Sequence, residues 1–326
     1  MDNNLLDVLI VGAGPIGISC GLEAKKRGWN YLILEKGTLV NSLYNYPKGM
    51  QFFSSSDNLE LDSIPFISNE AKPFRKEALQ YYRIVAQSQD LDIHLFEAVT
   101  SITNTAQGLF HITSKKNRYS AKNVIIATGF FDFPNHIGVP GETLDHVSHY
   151  FDDPHYYANQ KLVIVGANNS AVDAALSCYR CGAEVHLIIR GDQIGERVKY
   201  WVRPEIINRI EDGSIHAHYQ STIRRIEKGF VEIETNGMVT KLDTDFVLLM
   251  TGYRPDFDFL KSCGITFRAD AMQTPIVDPK TLETEVENLY LAGVVLGGLK
   301  TNAYFIDNSR THSIQICDSI QLKGLL

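Results

Sequence analysis

The sequence predicts an α/β chain made of two Rossmann-like, three-layer dinucleotide-binding domains, one inserted into the other. Three observations predict it. A strand, glycine turn, helix, strand and acid open the chain, and a degenerate copy of that unit recurs from residue 161. Strands running into Thr128-Gly129 and Thr251-Gly252 mark two crossings between the copies.

The first unit reads DVLIVGAGPIGISCGLEAKKRGWNYLILEK over residues 7–36. Residues 8–11 are a buried strand, residues 12–17 a turn opening a helix that ends near Gly28, and residues 31–34 a second strand closing on Glu35. Gly12 allows the tight turn, Gly14 lets the backbone approach a pyrophosphate, and Gly17 lets helix and strand pack closely. Glu35 stands where a carboxylate accepts hydrogen bonds from a ribose diol. Pro15 fits because the first helical positions have no donor to lose. A pyrophosphate here rests on free N–H groups and the positive end of the helix dipole, so Gly12, Gly14, Pro15, Ile16, Gly17 and Glu35 are candidate cofactor contacts.

At 326 residues the chain suits two domains, and its 44% hydrophobic and 21% charged content is that of a globular protein. A net charge of −7 argues against nucleic acid or an anionic membrane as partner. Asp2 and the absence of a basic leader predict no signal peptide, and no apolar run is long enough to span a bilayer, so a cytoplasmic protein is expected. Cys20, Cys178, Cys181, Cys263 and Cys317 form no disulfide framework, which fits a reducing compartment.

After Glu35 and Lys36, residues 41–66 read NSLYNYPKGMQFFSSSDNLELDSIPF, with no helical or alternating period over most of their length. Such a segment either lies over a bound cofactor, with Lys36, Asn41 and Ser42 as contacts, or is a surface loop anchored by Phe52, Phe53 and Phe66. Residues 76–88 predict an amphipathic helix and 93–96 a short strand. Residues 109–114 and 119–120 predict an antiparallel excursion, and 123–129 a buried parallel strand ending in Ala-Thr-Gly. The Pro- and Gly-rich stretch 130–160 predicts a domain boundary.

The second unit, residues 161–190, has Gly166, Asn168, Asn169, Ser170 and Ala171 at its turn and ends on Arg190 instead of an acid. A guanidinium at that position suits a 2′-phosphate, so NADPH is favoured over NADH. Arg197 and Lys199 either add charge there or lie on a solvated basic surface. Residues 193–209 read as loop then helix, 215–238 as alternating strands, and 245–250 as a buried strand running into Gly252 and Tyr253. Residues 287–294 give one more strand and glycine turn, and 304–322 a final helix.

The two glycine units, Ala127-Thr128-Gly129, Thr251-Gly252-Tyr253-Arg254-Pro255 and Ala292-Gly293 together resemble the low-molecular-weight thioredoxin-reductase-like flavoproteins along nearly the whole chain. More narrowly, residues 41–66, the second unit and GERVKYWVRPEIINRI resemble the bacillithiol disulfide reductases. The resemblance implies FAD held by residues 1–130 and 251–326, NADPH held by the inserted residues 131–250, and a low-molecular-weight thiol disulfide as acceptor. It also implies that Thr128, Gly129, Gly293 and Val294 lie by the flavin, with Gly252 and Tyr253 at the second crossing. Two positions depart from the family: Ile16 stands where the bacillithiol disulfide reductases carry a cysteine, and Val294 where the wider group has an Asp for the ribityl chain. An isoleucine cannot form a mixed disulfide, so that acceptor does not follow from the rest of the pattern.

Cys178-Tyr179-Arg180-Cys181 has redox-pair spacing but falls in the last turn of a helix, where two small buried residues are the simpler reading. Cys20, one helical turn beyond Ile16, either approaches the flavin or packs in the core, and core packing is the simpler reading. No catalytic acid or base is assigned because the hydride chemistry belongs to the cofactors. His149, His155 and His312 are read as surface or satisfied core residues, and no metal is expected. The expected partner is a small-molecule or small redox-protein electron acceptor, and the expected assembly a homo-oligomer. A ferredoxin or flavodoxin reductase, a flavin monooxygenase and a non-enzymatic flavin redox sensor remain as alternatives.

Overall fold

The structure is a computed structural model that describes residues 5–105 and 108–324. Asp2 lies outside the described residues. The chain divides into two compact units, one of residues 1–45, 51–133 and 253–326, the other of residues 46–50 and 134–252.

In chain order, the first unit begins with β1 (Leu5–Val11), α1 (Pro15–Lys26), β2 (Tyr31–Leu34), a one-turn α2 (Asn41–Tyr44) and α3 (Arg75–Ser88). It continues through β3 (Ile93–His94), β4 (Val99–Asn104), β5 (Phe110–Ser114), β6 (Arg118–Ile126) and the two-residue β7 (Phe133–Pro134). Its sheet runs β3-β2-β1-β6-β5-β4. The run Val8–Val11 is buried because β1 is flanked on both edges by parallel partners, with Val8 opposite Tyr31 on one side and Asn123 on the other. In α3 the buried Ala78, Tyr81, Tyr82 and Val85 recur at helical spacing, and the Glu77 carboxylate accepts from the Phe74 N–H at 2.8 Å to fix the start of the helix.

Residues 119–120 and 123–129, expected as separate strands, belong to one strand. The nine-residue β6 pairs antiparallel with β5 along its first part and parallel with β1 along most of its length. Ser120 and Ala121 therefore pair with both neighbours at once, and the chain has no reason to turn there.

The second unit holds β8 (Val147–Ser148), β9 (Lys161–Val165), α4 (Asn169–Arg180), β10 (Glu184–Ile188), α5 (Arg203–Glu211), β11 (Ile215–His218), β12 (Ser221–Glu227), β13 (Phe230–Thr235), β14 (Met238–Asp243) and β15 (Phe246–Leu249). A parallel sheet runs β11-β10-β9-β15-β8, and β12-β13-β14 form a separate antiparallel sheet. Leu162, Ile164, Val185, Leu187 and Leu248 of the parallel sheet pack with Val172, Ala175 and Leu176 of α4 into one apolar cluster.

The chain returns to the first unit through β16 (Tyr253–Arg254), α6 (Phe257–Ser262) and β17 (Leu289–Leu291), which pairs with β6 beyond the part that β5 occupies. A 3₁₀ turn over Gly293–Gly297 follows β17. The helix expected over 304–322 is two helices, α7 (Ile306–Ser309) and α8 (His312–Leu322). The break falls at Arg310, whose carbonyl accepts the Ser19 and Ser313 hydroxyls at 3.1 and 2.9 Å in competition with the helical ladder. The start is displaced to Ile306 because the Asn308 side chain holds the Phe305 N–H at 2.7 Å.

Candidate nucleotide-binding sites

In the first unit the glycine turn joins the end of β1 to the start of α1. Gly12 has φ +105°, and a Cβ there would stand 2.7 Å from the Ala127 carbonyl oxygen. Gly17 is constrained by space: a Cβ would overlap the Gly12 carbonyl oxygen, so only a glycine lets α1 rise this close to the turn. Gly14 differs from both. Its backbone is extended, and among the described residues nothing comes within 4 Å of where a Cβ would be. No side chain caps α1, with Pro15 at its first position, so its leading N–H groups border open space beside Gly14.

Glu35, 5% exposed, is tied to this turn. One carboxylate oxygen accepts from the Ala13 N–H at 2.8 Å and the other from the Gly37 N–H at 3.0 Å. Burial raises its pKa, against the lowering effect of those two hydrogen bonds and of Lys36. The following loop is stitched to the same place: the Val40 N–H donates to the Ala13 carbonyl at 3.0 Å, and Asn41 Oδ1 accepts from the Thr38 N–H at 3.3 Å. Lys36 forms an ion pair with Asp132 at 2.6 Å. The Ser42 hydroxyl faces Gly129, 3.8 Å from where a Cβ would stand. Beside it, the Thr128 hydroxyl oxygen is buried with no hydrogen-bond partner among the described residues. A buried orphan hydroxyl is costly unless something outside the chain satisfies it. With the open cradle at Gly14 and the uncapped helix, it makes this surface fit a phosphate-bearing nucleotide.

Ile16 packs against Gly293, 3.2 Å from the position a Cβ would take there. The Gly293 N–H donates to His312 Nδ1 at 3.1 Å, and burial pulls the His312 pKa down to about 4, so this ring is neutral and accepts. Val294 lies half-buried in the 3₁₀ turn. His312 thus has a satisfied core role, and it fixes the peptide beside Ile16, a link the sequence does not reveal.

Of the loop aromatics, Phe52 and Phe66 are buried and Phe66 stacks on Tyr81 at 4.4 Å, whereas Phe53 is 56% exposed and anchors nothing by burial. Cys20 is fully buried and its thiol pKa is raised well above its usual value by burial, so it belongs to the core. Cys178 is buried inside α4 with its thiol pushed up to about 12, while Cys181 caps the helix. A thiol held protonated is a poor nucleophile.

In the second unit Gly166 has φ +136°, with the Met250 carbonyl oxygen 2.7 Å from a Cβ and Ala171 close behind. Asn168 is the N-cap of α4 without a capping side-chain bond, and Ser170 is exposed in the first turn. Asn169 holds the 195–199 loop: its Oδ1 accepts from the Lys199 N–H at 2.9 Å and its Nδ2 donates to the Arg197 carbonyl at 3.0 Å. Lys199 is neither a solvated basic residue nor a free charge. It is 8% exposed, and its ammonium is held by Asp173 at 2.7 Å. Arg190 and Arg197 are the exposed guanidiniums near the turn. Gly252 follows β15, and its carbonyl accepts from the Asn135 N–H at 2.9 Å, while the Tyr253 ring packs on Phe131 at 4.4 Å.

Glycine turns that lead from parallel strands into helices with no side-chain cap define a dinucleotide-binding class of α/β protein. Residues 9–293 match the family described as pyridine nucleotide-disulphide oxidoreductase, and the chain belongs to that family of flavin- and NAD(P)H-dependent oxidoreductases. It is similar to bacilliredoxin reductase Bdr of Bacillus subtilis, with 38% identity over 313 residues and 96% of each chain covered. The solved bacillithiol disulfide reductase Bdr of Staphylococcus aureus superposes with a TM-score of 0.95 at 37% identity, covering 98% of this chain and 99% of that one. Its Bacillus cereus counterpart superposes with a TM-score of 0.95 at 35% identity and the same coverage. Among the described residues no helix is long and apolar enough to cross a membrane.

Proposed function

We propose that this chain oxidises NADPH and passes the electrons through bound FAD to a low-molecular-weight thiol disulfide of the bacillithiol disulfide kind. The full-length similarity to bacilliredoxin and bacillithiol disulfide reductases carries this reading. In balance, NADPH reduces one disulfide with uptake of one proton, giving two thiols and NADP⁺. Bound FAD supplies the carrier between a two-electron hydride donor and the disulfide. Residues 1–130 and 251–326 hold FAD, with Gly14 and the N-terminus of α1 cradling its pyrophosphate. Glu35 accepts from a ribose hydroxyl with lone pairs that Ala13 and Gly37 leave open, and the Thr128 hydroxyl gains a partner. Residues 131–250 hold NADPH, with Asn168, Asn169 and Ser170 at the pyrophosphate and Arg190 at the 2′-phosphate. The five free cysteines suit a cytoplasmic, reducing setting, and the assembly is a homo-oligomer.

Ile16 favours a second reading of the acceptor, a small redox protein, because no thiol stands at the turn to attack a disulfide. Anaerobic reduction of the purified yellow protein by NADPH, followed in stopped flow by reoxidation with bacillithiol disulfide or with an acidic ferredoxin, separates the two. Fast reoxidation by the disulfide supports the first, and fast reoxidation by the carrier alone supports the second. A protein isolated colourless that takes up no FAD overturns both.

A further inference from the structure

The second unit carries a cluster that its nucleotide turn does not use. Just before β8 the chain reads PNHIGVPGE, and just after β8 it places His149. The fold brings His136, Glu142 and His149 together so that one ligating atom from each lies within 4.8 Å of the others. Glu142 Oε1 is 3.1 Å from His136 Nδ1 and 3.2 Å from His149 Nε2. The carboxylate cannot swing away: its two oxygens also accept the Ile137 and Gly138 N–H groups at 3.0 and 2.7 Å. The His149 ring stands edge-on to the His136 ring, with centroids 4.8 Å apart. Glu142 and His149 side chains are 7% and 11% exposed, while that of His136 is 61% exposed.

We propose that His136, Glu142 and His149 bind one divalent transition-metal ion of the Zn²⁺ class, with solvent completing the coordination. Two imidazoles and a carboxylate are a donor set that Zn²⁺ takes, at bonds of about 2.0–2.2 Å. Tetrahedral bonds of that length put neighbouring donors about 3.3 Å apart. The two edges through Glu142 Oε1 already have nearly that length, and the exposed His136 ring is the one that turns to close the third. Backbone hydrogen bonds to Glu142 supply an outer shell that orients that ligand. None of the three ligands belongs to the glycine turn, which starts at Gly166. His136 follows Asn135, which bonds the Thr251 and Gly252 backbone at 3.3 and 2.9 Å, so the ion would brace the stretch where chain entry and exit of this unit run side by side.

The test uses the flavin-loaded protein, stripped with EDTA and then dialysed against ZnCl₂. The expected result is one Zn²⁺ per chain with micromolar affinity, and an X-ray absorption edge showing nitrogen and oxygen neighbours near 2.0–2.1 Å without sulfur at about 2.3 Å. His136→Ala, on an exposed ring, should weaken uptake by at least roughly tenfold while leaving the flavin spectrum and far-UV circular dichroism unchanged. Cys181→Ser should leave uptake unchanged. Absence of stoichiometric uptake, sulfur neighbours at the edge, or uptake kept in His136→Ala and lost in Cys181→Ser would overturn the assignment.

Discussion

Gly14→Ala separates the demands of the fold from those of the ligand. At Gly14 the backbone is extended and a Cβ meets nothing within 4 Å, so the substitution creates no clash inside the chain. Two small terms act on stability. Loss of glycine freedom in the unfolded chain stabilises by about 0.4–1 kcal/mol, and replacing an N-cap glycine by alanine costs a comparable amount. The unfolding free energy of the apoprotein is therefore expected to change by less than about 0.5 kcal/mol. FAD affinity is expected to behave differently, because a methyl group would occupy the cradle a pyrophosphate needs, and should fall at least tenfold, about 1.4 kcal/mol. Gly17→Ala is the counterpart: its Cβ would overlap the Gly12 carbonyl oxygen, so turn and helix must separate by more than about 1 Å at an overpacking cost of roughly 1–3 kcal/mol. Urea unfolding of both apoproteins and titration with FAD, followed by quenching of flavin fluorescence, read the two quantities apart. Gly14→Ala binding FAD as tightly as the parent would refute the cradle, and a clear loss of apoprotein stability would refute the claim that nothing in the chain needs that glycine.

Three further outcomes are expected. Arg190→Ala removes an exposed guanidinium and should raise KM for NADPH roughly 10- to 100-fold with little effect on KM for NADH, checked by flavin reduction rates with both donors; an equal change for both would remove Arg190 from the 2′-phosphate. His312, with its pKa pulled down to about 4, binds fewer protons folded than unfolded, so it contributes stability above the ordinary histidine value of about 6.5. That contribution, about 3 kcal/mol, is lost as pH falls from about 6.5 to about 4, and urea midpoints for His312→Gln should fall less steeply than the parent's across this window. Ile16→Cys places a thiol at the turn against Gly293 and should accelerate reoxidation of the reduced protein by bacillithiol disulfide; an unchanged rate would show that position 16 does not limit the acceptor.

Much of the fold was legible because its signals are local. The run of residues 8–11 is apolar on every residue because a central parallel strand is covered on both faces, and the glycines after it meet steric demands set within a few residues. Boundaries were less legible where distant partners decide them: β6 is one strand because β1, β5 and β17 share it, and the last helix breaks where Ser19, far away in sequence, bonds the Arg310 carbonyl.

The sequence by itself determined the α/β class, the repeated glycine unit and the family, since period, turn chemistry and spacing are written in consecutive residues. Only the tertiary structure decided that Lys199 spends its charge on Asp173, that His312 holds the Gly293 peptide beside Ile16, and that His136, Glu142 and His149 converge. Each of these joins side chains brought together by register and loop path, and a hydrogen bond or ion pair reads distance in space, to which no spacing along the chain corresponds.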